Sequence, residues 1–328
     1  MRSLRPVIRN RLSRAALETR CASAVRQGIT LREARAEAVF VQRQAANFGV
    51  RAYEPEAFSS RLEGKDAADT LFVLGSGSSI RNLTVENFDE IRSQRSVGIN
   101  NWGIHPFVAD FYALESVPWV GDGQDFSRAL GLLSRNDILA ARPPVMVLRP
   151  SSGRNLPELK KLASAFLERI FFYGRIAPST RRLDNLQEDI AGVLPDLVSQ
   201  HDGVFLDSGA SIIRMVGVAL SLGLSRVVLT GVDLNNSDYF WENNMDYDLS
   251  TIPYAPENNQ TGYWSTKSPS TLHETMTSVN RPFPVADVIG ALSKCLVADY
   301  GLRVYVSTPE SALSELLPVF NWGQSGRL

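Results

Sequence analysis

Residues 70–80 read TLFVLGSGSSI, and this stretch decides the fold. The four consecutive apolar residues at 71–74 are typical of a strand that is buried on both faces of a parallel sheet. Glycine and serine residues follow directly, and a helix-like stretch from about Val85 to Ile91 comes next. A short buried strand, a glycine-rich turn and a helix, in that order, predict the opening unit of an α/β fold.

The rest of the chain repeats this alternation of strands and helices. The first half contains four further strand-like runs, and the second half contains two helix-like and two strand-like runs. The runs lie at 96–100, 107–115, 143–150 and 168–174, then at 212–224 (helix), 227–230 (strand), 285–301 (helix) and 302–308 (strand). This order predicts an α/β fold in which a Rossmann-like parallel sheet carries helices on both faces.

One long stretch, from about residue 237 to 284, has no clear period and is rich in Tyr, Asn and Trp. An aperiodic segment of this length is unusual in a compact domain and often forms an active-site lid. We therefore divide the chain into an N-terminal helical extension, 1–68, and a Rossmann-like domain, 69–328, whose lid spans about 237–284.

Composition excludes several classes of protein. The chain has 34 basic and 35 acidic residues and 44% hydrophobic residues, which is ordinary for a globular protein and unlike collagen or a disordered chain. Two distant cysteines, Cys21 and Cys295, predict a reducing, cytoplasmic location without structural disulfides. Three histidines and no CxxC motif argue against a Cys/His zinc site, and no run of 18 apolar residues predicts a membrane span.

The N-terminal segment is basic. Residues 1–51 hold eleven Arg against three Glu, which gives a local charge of +8. Because the net charge of the whole chain is −1, the remaining residues have a charge of −9. Two helix-like runs lie in it, and the second, around 31–41, is amphipathic. Three interpretations remain: a helical extension that packs on the body or on a second copy in a homo-oligomer, a peripheral contact with an anionic inner membrane, or a transit peptide. The Arg content alone does not predict a nucleic-acid partner.

The glycine-serine turn after the first strand is a candidate nucleotide site. In doubly wound folds ligands bind at the carboxyl ends of strands, where a helix start offers N–H groups to a phosphate. No GK[ST] follows, and Ile80 stands where GxGxxG needs its third glycine, so neither standard nucleotide motif is present. The alternative is an ordinary turn that caps a helix. The candidate residues are Gly75, Ser76, Gly77, Ser78 and Ser79.

Polar residues also end the later strands. Asn100 and Asn101 could read a ribose or base edge, because each amide offers donors and an acceptor, or they could form a turn. Glu115 could accept a hydrogen bond from a cytosine amine or a sugar hydroxyl. Asp233 either faces the ligand cleft or caps the following turn.

A second candidate anion site lies at the helix start that follows residue 207. Ser208, Gly209 and Ser211 stand where free backbone N–H groups would meet a phosphate or carboxylate. Plain N-capping by serine is the structural alternative.

His273, in the lid, is the candidate general base, because an imidazole titrates near neutral pH. The alternative is a solvent-exposed loop histidine, and we interpret His105 and His201 as loop and turn residues. Asp246 and Asp248 form a DxD pair that could hold a divalent cation. The pair does not directly follow a strand, so we expect no metal.

Taken together, these segments resemble the family-42 bacterial sialyltransferases and their distant relatives of pterin-related activity. The resemblance covers about residues 70–317, and the extension lies outside it. Its motifs are the strand and G-x-G-[PS]-S at Leu71–Ser79, the strand and N-[NQ] at Val97–Asn101, the SG-x-S helix and [ST]G[VI]D at Ser208–Asp233, His273, and RVYVSTPESAL at Arg303–Leu313.

The resemblance implies transfer of sialic acid or a related nonulosonate from a CMP-activated donor to a glycan acceptor, without a metal or a resident cofactor. It implies that the Gly-Ser turn and the Asn residues hold the nucleotide and that a histidine, here His273, is the base. If His273 proves dispensable, we expect Asp233 or Glu115 to be the base instead. The resemblance also implies that a tyrosine after the GxD motif, here Tyr239, assists the leaving phosphate.

This sequence departs from the family pattern in two places: residues 203–207 contain no Arg, and Tyr239 lies six residues beyond Asp233. A pyrophosphokinase-like enzyme and a noncatalytic nucleotide- or glycan-binding protein therefore remain alternatives.

Overall fold

The computed structural model describes residues 5–62, 64–65, 67–99, 101–115, 133, 144–150, 164–199, 203–235, 239–241, 276 and 282–323. Ten strands lie in this part of the chain: β1 (Arg51–Ala52), β2 (Thr70–Leu74), β3 (Arg95–Ile99), β4 (Phe111–Glu115), β5 (Val145–Arg149), β6 (Ile170–Phe172), β7 (Gly174–Ile176), β8 (Val204–Leu206), β9 (Arg226–Thr230) and β10 (Arg303–Val306).

Seven α-helices lie in the same described part of the chain. They are α1 (Arg5–Phe48), α2 (Pro55–Ser59), α3 (Val85–Ser93), α4 (Ser164–Leu167), α5 (Leu186–Ser199), α6 (Ser211–Ser221) and α7 (Val285–Tyr300). Short 3₁₀ turns follow several strands, and one of them, Ser78–Asn82, begins directly after the Gly-Ser turn.

Eight of the described strands form one parallel sheet in the order β1-β6-β5-β4-β3-β2-β9-β10. Strand β2 lies in its interior between β3 and β9, and all five of its residues are buried. This explains its unbroken apolar sequence, because no residue of such a strand faces water. The predicted α/β fold with a parallel sheet is confirmed.

Helices cover both faces of the sheet, as predicted. On one face, Leu71 and Val73 of β2 belong to the same buried cluster as residues of α5, α6 and α7. On the other face, Phe72 and Leu74 belong to a cluster that includes Ile91 of α3 and residues of α1. The strict alternation along β2 divides its side chains between these two cores.

The order of the strands creates a switch point. From β2 the chain builds the sheet in one direction through β3, β4, β5 and β6, and then returns to the other side of β2 with β9 and β10. The carboxyl ends of β2 and β9 therefore lie side by side where the direction of winding reverses. In open α/β sheets this crevice is where ligands bind.

Helix α1 packs on the body of the protein. It is one continuous helix that passes through Gly28, whereas the sequence predicted two separate helical runs. Ala34, Ala38, Val41 and Ala45 are buried at spacings of four, three and four, as expected for a helix face that packs on a core. The guanidinium of Arg26 also bonds the Asp189 carboxylate of α5 at 3.0 Å.

The segment after α1 joins the sheet. Strand β1 pairs in parallel with β6, and Tyr53 and Phe58 are buried in the core. Residues 51–62 of the predicted extension thus contribute an edge strand and core side chains to the body. In the part of the chain that the structure describes, no helix combines the length and apolar character needed to cross a bilayer.

Candidate active site

The Gly-Ser turn and the end of β9 are hydrogen-bonded to each other at the switch point. Gly75 N donates to Thr230 O at 2.7 Å, and Gly77 N donates to Gly231 O at 2.8 Å. A Cβ at position 75 would lie 2.5 Å from Gly231 O, so a larger residue does not fit. Glycine is therefore required by the close approach of two backbones, independently of any ligand.

Asp233 holds the turn from the β9 side. Its buried carboxylate accepts from Ser79 N at 2.9 Å, from the Ser78 hydroxyl at 3.4 Å, and from the Ser79 hydroxyl at short range. A Cβ at Gly77 would lie 2.5 Å from Oδ2 of this carboxylate. Asp233 thus caps the distant 3₁₀ turn at 78–82, whereas the predicted alternative was a cap for the turn that follows Asp233 itself; its catalytic role stays a prediction.

The start of the predicted lid crosses the turn. Tyr239 forms an antiparallel bridge with Gly77, and Phe240 N donates to Ser76 O at 3.1 Å. Arg81 fixes this crossing, because its Nε donates to Phe240 O at 2.9 Å and its Nη2 donates to Tyr239 O at 2.6 Å. The structure therefore brings Tyr239 beside the Gly-Ser turn. Sequence reasoning did not identify Arg81.

Aromatic rings anchor the crossing segment. The Tyr239 and Trp241 rings stack with their centroids 4.6 Å apart and nearly parallel. Phe240 packs edge-on against Trp102 and His105, at 5.7 and 5.3 Å. These contacts hold residues 239–241 over the carboxyl ends of β2 and β3.

His105 is a buried packing residue. Its ring stacks on Trp102 at 4.4 Å and on Phe88 at 5.2 Å. Its Nδ1 accepts from Phe107 N at 2.9 Å, so this nitrogen carries no proton. The geometry agrees with the prediction that His105 is a loop residue.

Four buried hydroxyl or amide groups near strand ends find no hydrogen-bond partner among the described residues. They are Ser76 Oγ after β2, Asn101 Nδ2 after β3, Ser208 Oγ after β8 and Thr230 Oγ1 at the end of β9. Buried polar atoms are nearly always paired, and leaving one unpaired costs about 1–3 kcal/mol. Three were predicted site residues, whereas Thr230 was not. Its only signal in the sequence is a hydroxyl at the end of the apolar run RVVLT.

Asp207 orders the turn that leads into α6, which sequence reasoning missed. The helix begins after Ala210, and Asp207 Oδ1 accepts from Gly209 N at 2.7 Å and from Ala210 N at 3.3 Å. The Ser211 hydroxyl instead accepts from Arg214 Nη2 at 3.0 Å. The N-capping alternative for Ser208 and Ser211 is therefore wrong.

Two arginines converge on the same aspartate. Arg175 Nη1 lies 2.7 Å from Oδ2 of Asp207, and Arg214 Nη1 lies 2.7 Å from Oδ1. Arg214 is fully buried, and this burial lowers the pKa of its guanidinium to about 9. The guanidinium still stays protonated at neutral pH and pairs with the carboxylate.

Several predicted site residues lie outside the described residues. These are Asn100, His201, His273, Asp246, Asp248 and most of the lid. Glu115 ends β4, but its side chain is also outside the described part. Among the residues that the structure describes, no three His, Cys, Asp or Glu side chains group closely enough to hold a metal ion.

No family model matches the sequence, and no curated protein matches it. Solved structures similar to this chain include sialyltransferases. The monofunctional alpha-2,3-sialyltransferase Cst-I from Campylobacter jejuni is 15% identical, with a TM-score of 0.43 over 78% of this chain and 82% of that one. Two variants of the sialyltransferase Cst-II in complex with CMP are 14% and 12% identical, with TM-scores of 0.42 and 0.41. They cover 77% and 76% of this chain and 87% and 86% of theirs.

Proposed function

We propose that this protein is a glycosyltransferase that transfers sialic acid or a related nonulosonate from a CMP-activated donor to a glycan acceptor. The observation that carries the proposal is the set of buried polar groups after β2, β3 and β9, at Ser76, Asn101 and Thr230, together with Ser208 after β8, for which the described residues supply no partner. Hydroxyl and amide groups of this kind suit a ligand rich in hydroxyls and phosphate oxygens. The sequence motifs that resemble family-42 sialyltransferases supply the choice of donor.

In this proposal the nucleotide lies along the carboxyl ends of β2, β3 and β9. The Ser76 hydroxyl and the Asn101 amide offer hydrogen-bond donors beside the Gly-Ser turn. Asp233 holds the turn in the conformation that presents these groups. Tyr239, bridged to Gly77, lies where a phenol could reach the phosphate of the donor.

The reaction would be a direct displacement. The acceptor hydroxyl oxygen bonds to the anomeric carbon of the donor while the bond from that carbon to the CMP phosphate oxygen breaks. The phosphate takes the electron pair and leaves as CMP, and Tyr239 hydrogen-bonds to it. The hydroxyl proton passes to His273, as general-base catalysis requires. None of these steps calls for a metal ion or a resident cofactor.

Thermal shift measurements with CMP, UDP, GDP and ATP test the proposal. A ligand at a hundredfold excess over its Kd stabilises the folded protein by about 2.7 kcal/mol, and we expect CMP to give the largest shift. A clear preference for a purine nucleotide would contradict the choice of donor. Consumption of ATP with magnesium would instead identify a pyrophosphokinase. Binding of CMP without hydrolysis of CMP-sialic acid would favour a noncatalytic protein.

Thr230 offers a sharper version of this test. Thr230→Val keeps the shape and removes the unpaired hydroxyl, so stability without ligand should be unchanged or higher while the CMP shift falls. Thr180→Val is the matched control, because the buried Thr180 hydroxyl bonds to the backbone of Arg182. That variant should lose about 1 kcal/mol of stability and keep its CMP shift.

We further propose that the protein acts in the cytoplasm and that residues 1–51 contact an anionic membrane surface. The supporting observation is the local charge of +8 in this segment. Basic residues near an anionic surface each contribute about 1 kcal/mol of attraction.

A further inference from the structure

Three arginines meet at the same edge of the sheet, next to the unpaired Ser208 hydroxyl. We call Arg149, Arg175 and Arg214 the arginine cluster. They come from β5, β7 and α6, so only the folded chain brings them together. Asp207, which directly precedes Ser208, bonds to two of them at 2.7 Å each.

The two arginines on Asp207 differ in what they can reach. The Arg214 side chain is fully buried, and its guanidinium lies 5.9 Å from the centre of the Tyr173 ring. It cannot contact a ligand and instead helps to hold Asp207. The Arg175 side chain is 38% exposed and uses Nη1 for Asp207. Because a guanidinium carries five N–H donors, Arg175 has donors left for a second oxyanion.

Arg149 adds a second positive charge beside Arg175. Burial lowers the pKa of the Arg149 guanidinium below its usual value, and the charge of Arg175 lowers it further. The carboxylates of Asp207 and Glu37 oppose this effect. Strand β5 pairs with β6 up to Leu148 and Phe172, and Tyr173 N donates to Leu148 O, so the chain at Arg149 runs beside the segment that leads to Arg175. An anion would interact favourably with both guanidinium groups.

The cluster lies at the edge that holds the candidate nucleotide residues. Arg149 is the last residue of β5 and pairs in register with Glu115, the last residue of β4. Ser208 follows Asp207 directly, and its buried hydroxyl has no partner in the part of the chain that the structure describes. An unpaired buried hydroxyl beside partly exposed arginines is a second, independent sign that a polar ligand group belongs here.

We propose that Arg175 and Arg149 form a binding site for an oxyanion of the donor substrate, with Asp207 and Arg214 fixing the orientation of Arg175. The oxyanion is either the carboxylate of the sugar or the phosphate of the nucleotide. A paired carboxylate or phosphate matches the planar donor geometry of a guanidinium. This inference rests on the proposed function for the identity of the donor, but not for the presence of an anion site.

The test compares Arg175→Gln, Arg175→Lys and Arg149→Gln with the control Arg303→Gln. Arg303 is exposed and begins β10, at the opposite, amino edge of the sheet, so its substitution removes the same charge away from the site. The probes are cytidine, CMP, N-acetylneuraminate and inorganic phosphate, measured by calorimetry and thermal shift at fixed salt. Circular dichroism checks that each variant is folded.

We expect Arg175→Gln and Arg149→Gln to weaken binding of the probe that carries the recognised oxyanion by about tenfold to a hundredfold. Cytidine binding should not change, Arg175→Lys should recover part of the loss, and Arg303→Gln should behave as wild type. Loss confined to CMP and phosphate identifies the nucleotide phosphate, and loss confined to N-acetylneuraminate identifies the sugar carboxylate.

The failures of the two proposals are distinguishable. If wild type binds CMP but no probe loses affinity in the folded Arg175 and Arg149 variants, the anion site is refuted and the proposed function stands. If wild type binds phosphate through Arg175 and does not bind CMP, the anion site stands and the donor is wrong. Should Arg175→Gln not fold, Arg149→Gln and Arg175→Lys decide the outcome.

Discussion

Replacement of Asp233 separates a positioning role from a catalytic one. The carboxylate accepts hydrogen bonds from Ser79 N, the Ser79 hydroxyl and the Ser78 hydroxyl, and it is buried. Asp233→Asn keeps one oxygen that can accept from Ser79 N, so we expect a loss of about 1 kcal/mol of stability. Asp233→Ala leaves the Ser79 N–H without an acceptor, and we expect a loss of about 3 kcal/mol.

Two readouts follow from this geometry. In thermal unfolding, a loss of about 3 kcal/mol lowers the midpoint of a chain of this length by about 4 °C, because the unfolding entropy is about 2.1 cal/mol/K per residue. The Gly-Ser turn should shift once its cap is gone, so Asp233→Ala should also weaken CMP binding at least about tenfold, which corresponds to 1.4 kcal/mol.

Ser79→Ala supplies the matched partner for a double-mutant cycle. It removes one donor to the same carboxylate, so its effect and that of Asp233→Asn should not add, with a coupling of about 1 kcal/mol. If the two losses add, or if both Asp233 variants keep full stability while turnover disappears, the positioning role is wrong. Asp233 would then be a candidate for the general base.

The remaining predictions concern other parts of the molecule. Gly77→Ala should lose CMP binding and lower the midpoint of unfolding, because its Cβ would lie 2.5 Å from the Asp233 carboxylate; Gly290→Ala, whose Cβ would meet only Leu316 Cδ1 at 3.8 Å, is the control for a lost glycine. His273→Ala should keep its CMP shift and lose about 10²–10⁴ in turnover, whereas full turnover would remove it from the mechanism. Activity should survive EDTA, and recovery by manganese after loss would implicate Asp246 and Asp248. Deletion of residues 1–21 should abolish salt-sensitive binding to anionic vesicles and leave the unfolding midpoint unchanged. Deletion of residues 1–51 should instead destabilise the body, because Val41, Ala45 and Val50 are buried.

The central sheet could be predicted from the sequence because its strands are buried on both faces. Continuous apolar runs such as Leu71–Leu74 and Val227–Leu229 have few alternatives once glycine-rich turns bound them. The switch point was not predicted, because it depends on β9 pairing beside β2, which the order of runs along the chain does not fix. The Gly-Ser turn was correctly placed between strand and helix, although the structure shows that its glycines also serve a backbone contact with Gly231.

Short or atypical elements escaped prediction. Strand β8 has three residues, too few for a periodic pattern, and among the described strands it pairs with the equally short β7. Helix α5 contains Pro195, which normally signals a helix end and obscures the apolar spacing of Leu186, Ile190 and Val193. Helix α1 passes through Gly28, which costs about 1 kcal/mol in an isolated helix. Contacts with α5, such as Arg26 with Asp189, favour the continuous form.

The residues of the candidate site also differ in whether the sequence predicts them. Ser76, Asn101 and Ser208 were identifiable because they follow apolar runs in the sequence. The arginine cluster was not, because its members lie 26 and 39 residues apart and share no motif. Arg81 carries no signal either, since its role depends on backbone carbonyls of residues 239 and 240 that reach it from a distant segment.

The chemistry of the described edge narrows where the base can come from. Asp207 and Asp233 each follow a strand. The carboxylate of each accepts hydrogen bonds from backbone N–H groups and from neighbouring side chains. His105 is stacked between rings and accepts from a backbone N–H. In the proposed site, the described groups that would face the ligand are neutral hydroxyls, an amide and arginines, a set that binds anions and polar groups and contains no carboxylate or imidazole to act as a base. A general base must therefore enter from outside this set, which is the role that the sequence predicts for His273 in the lid.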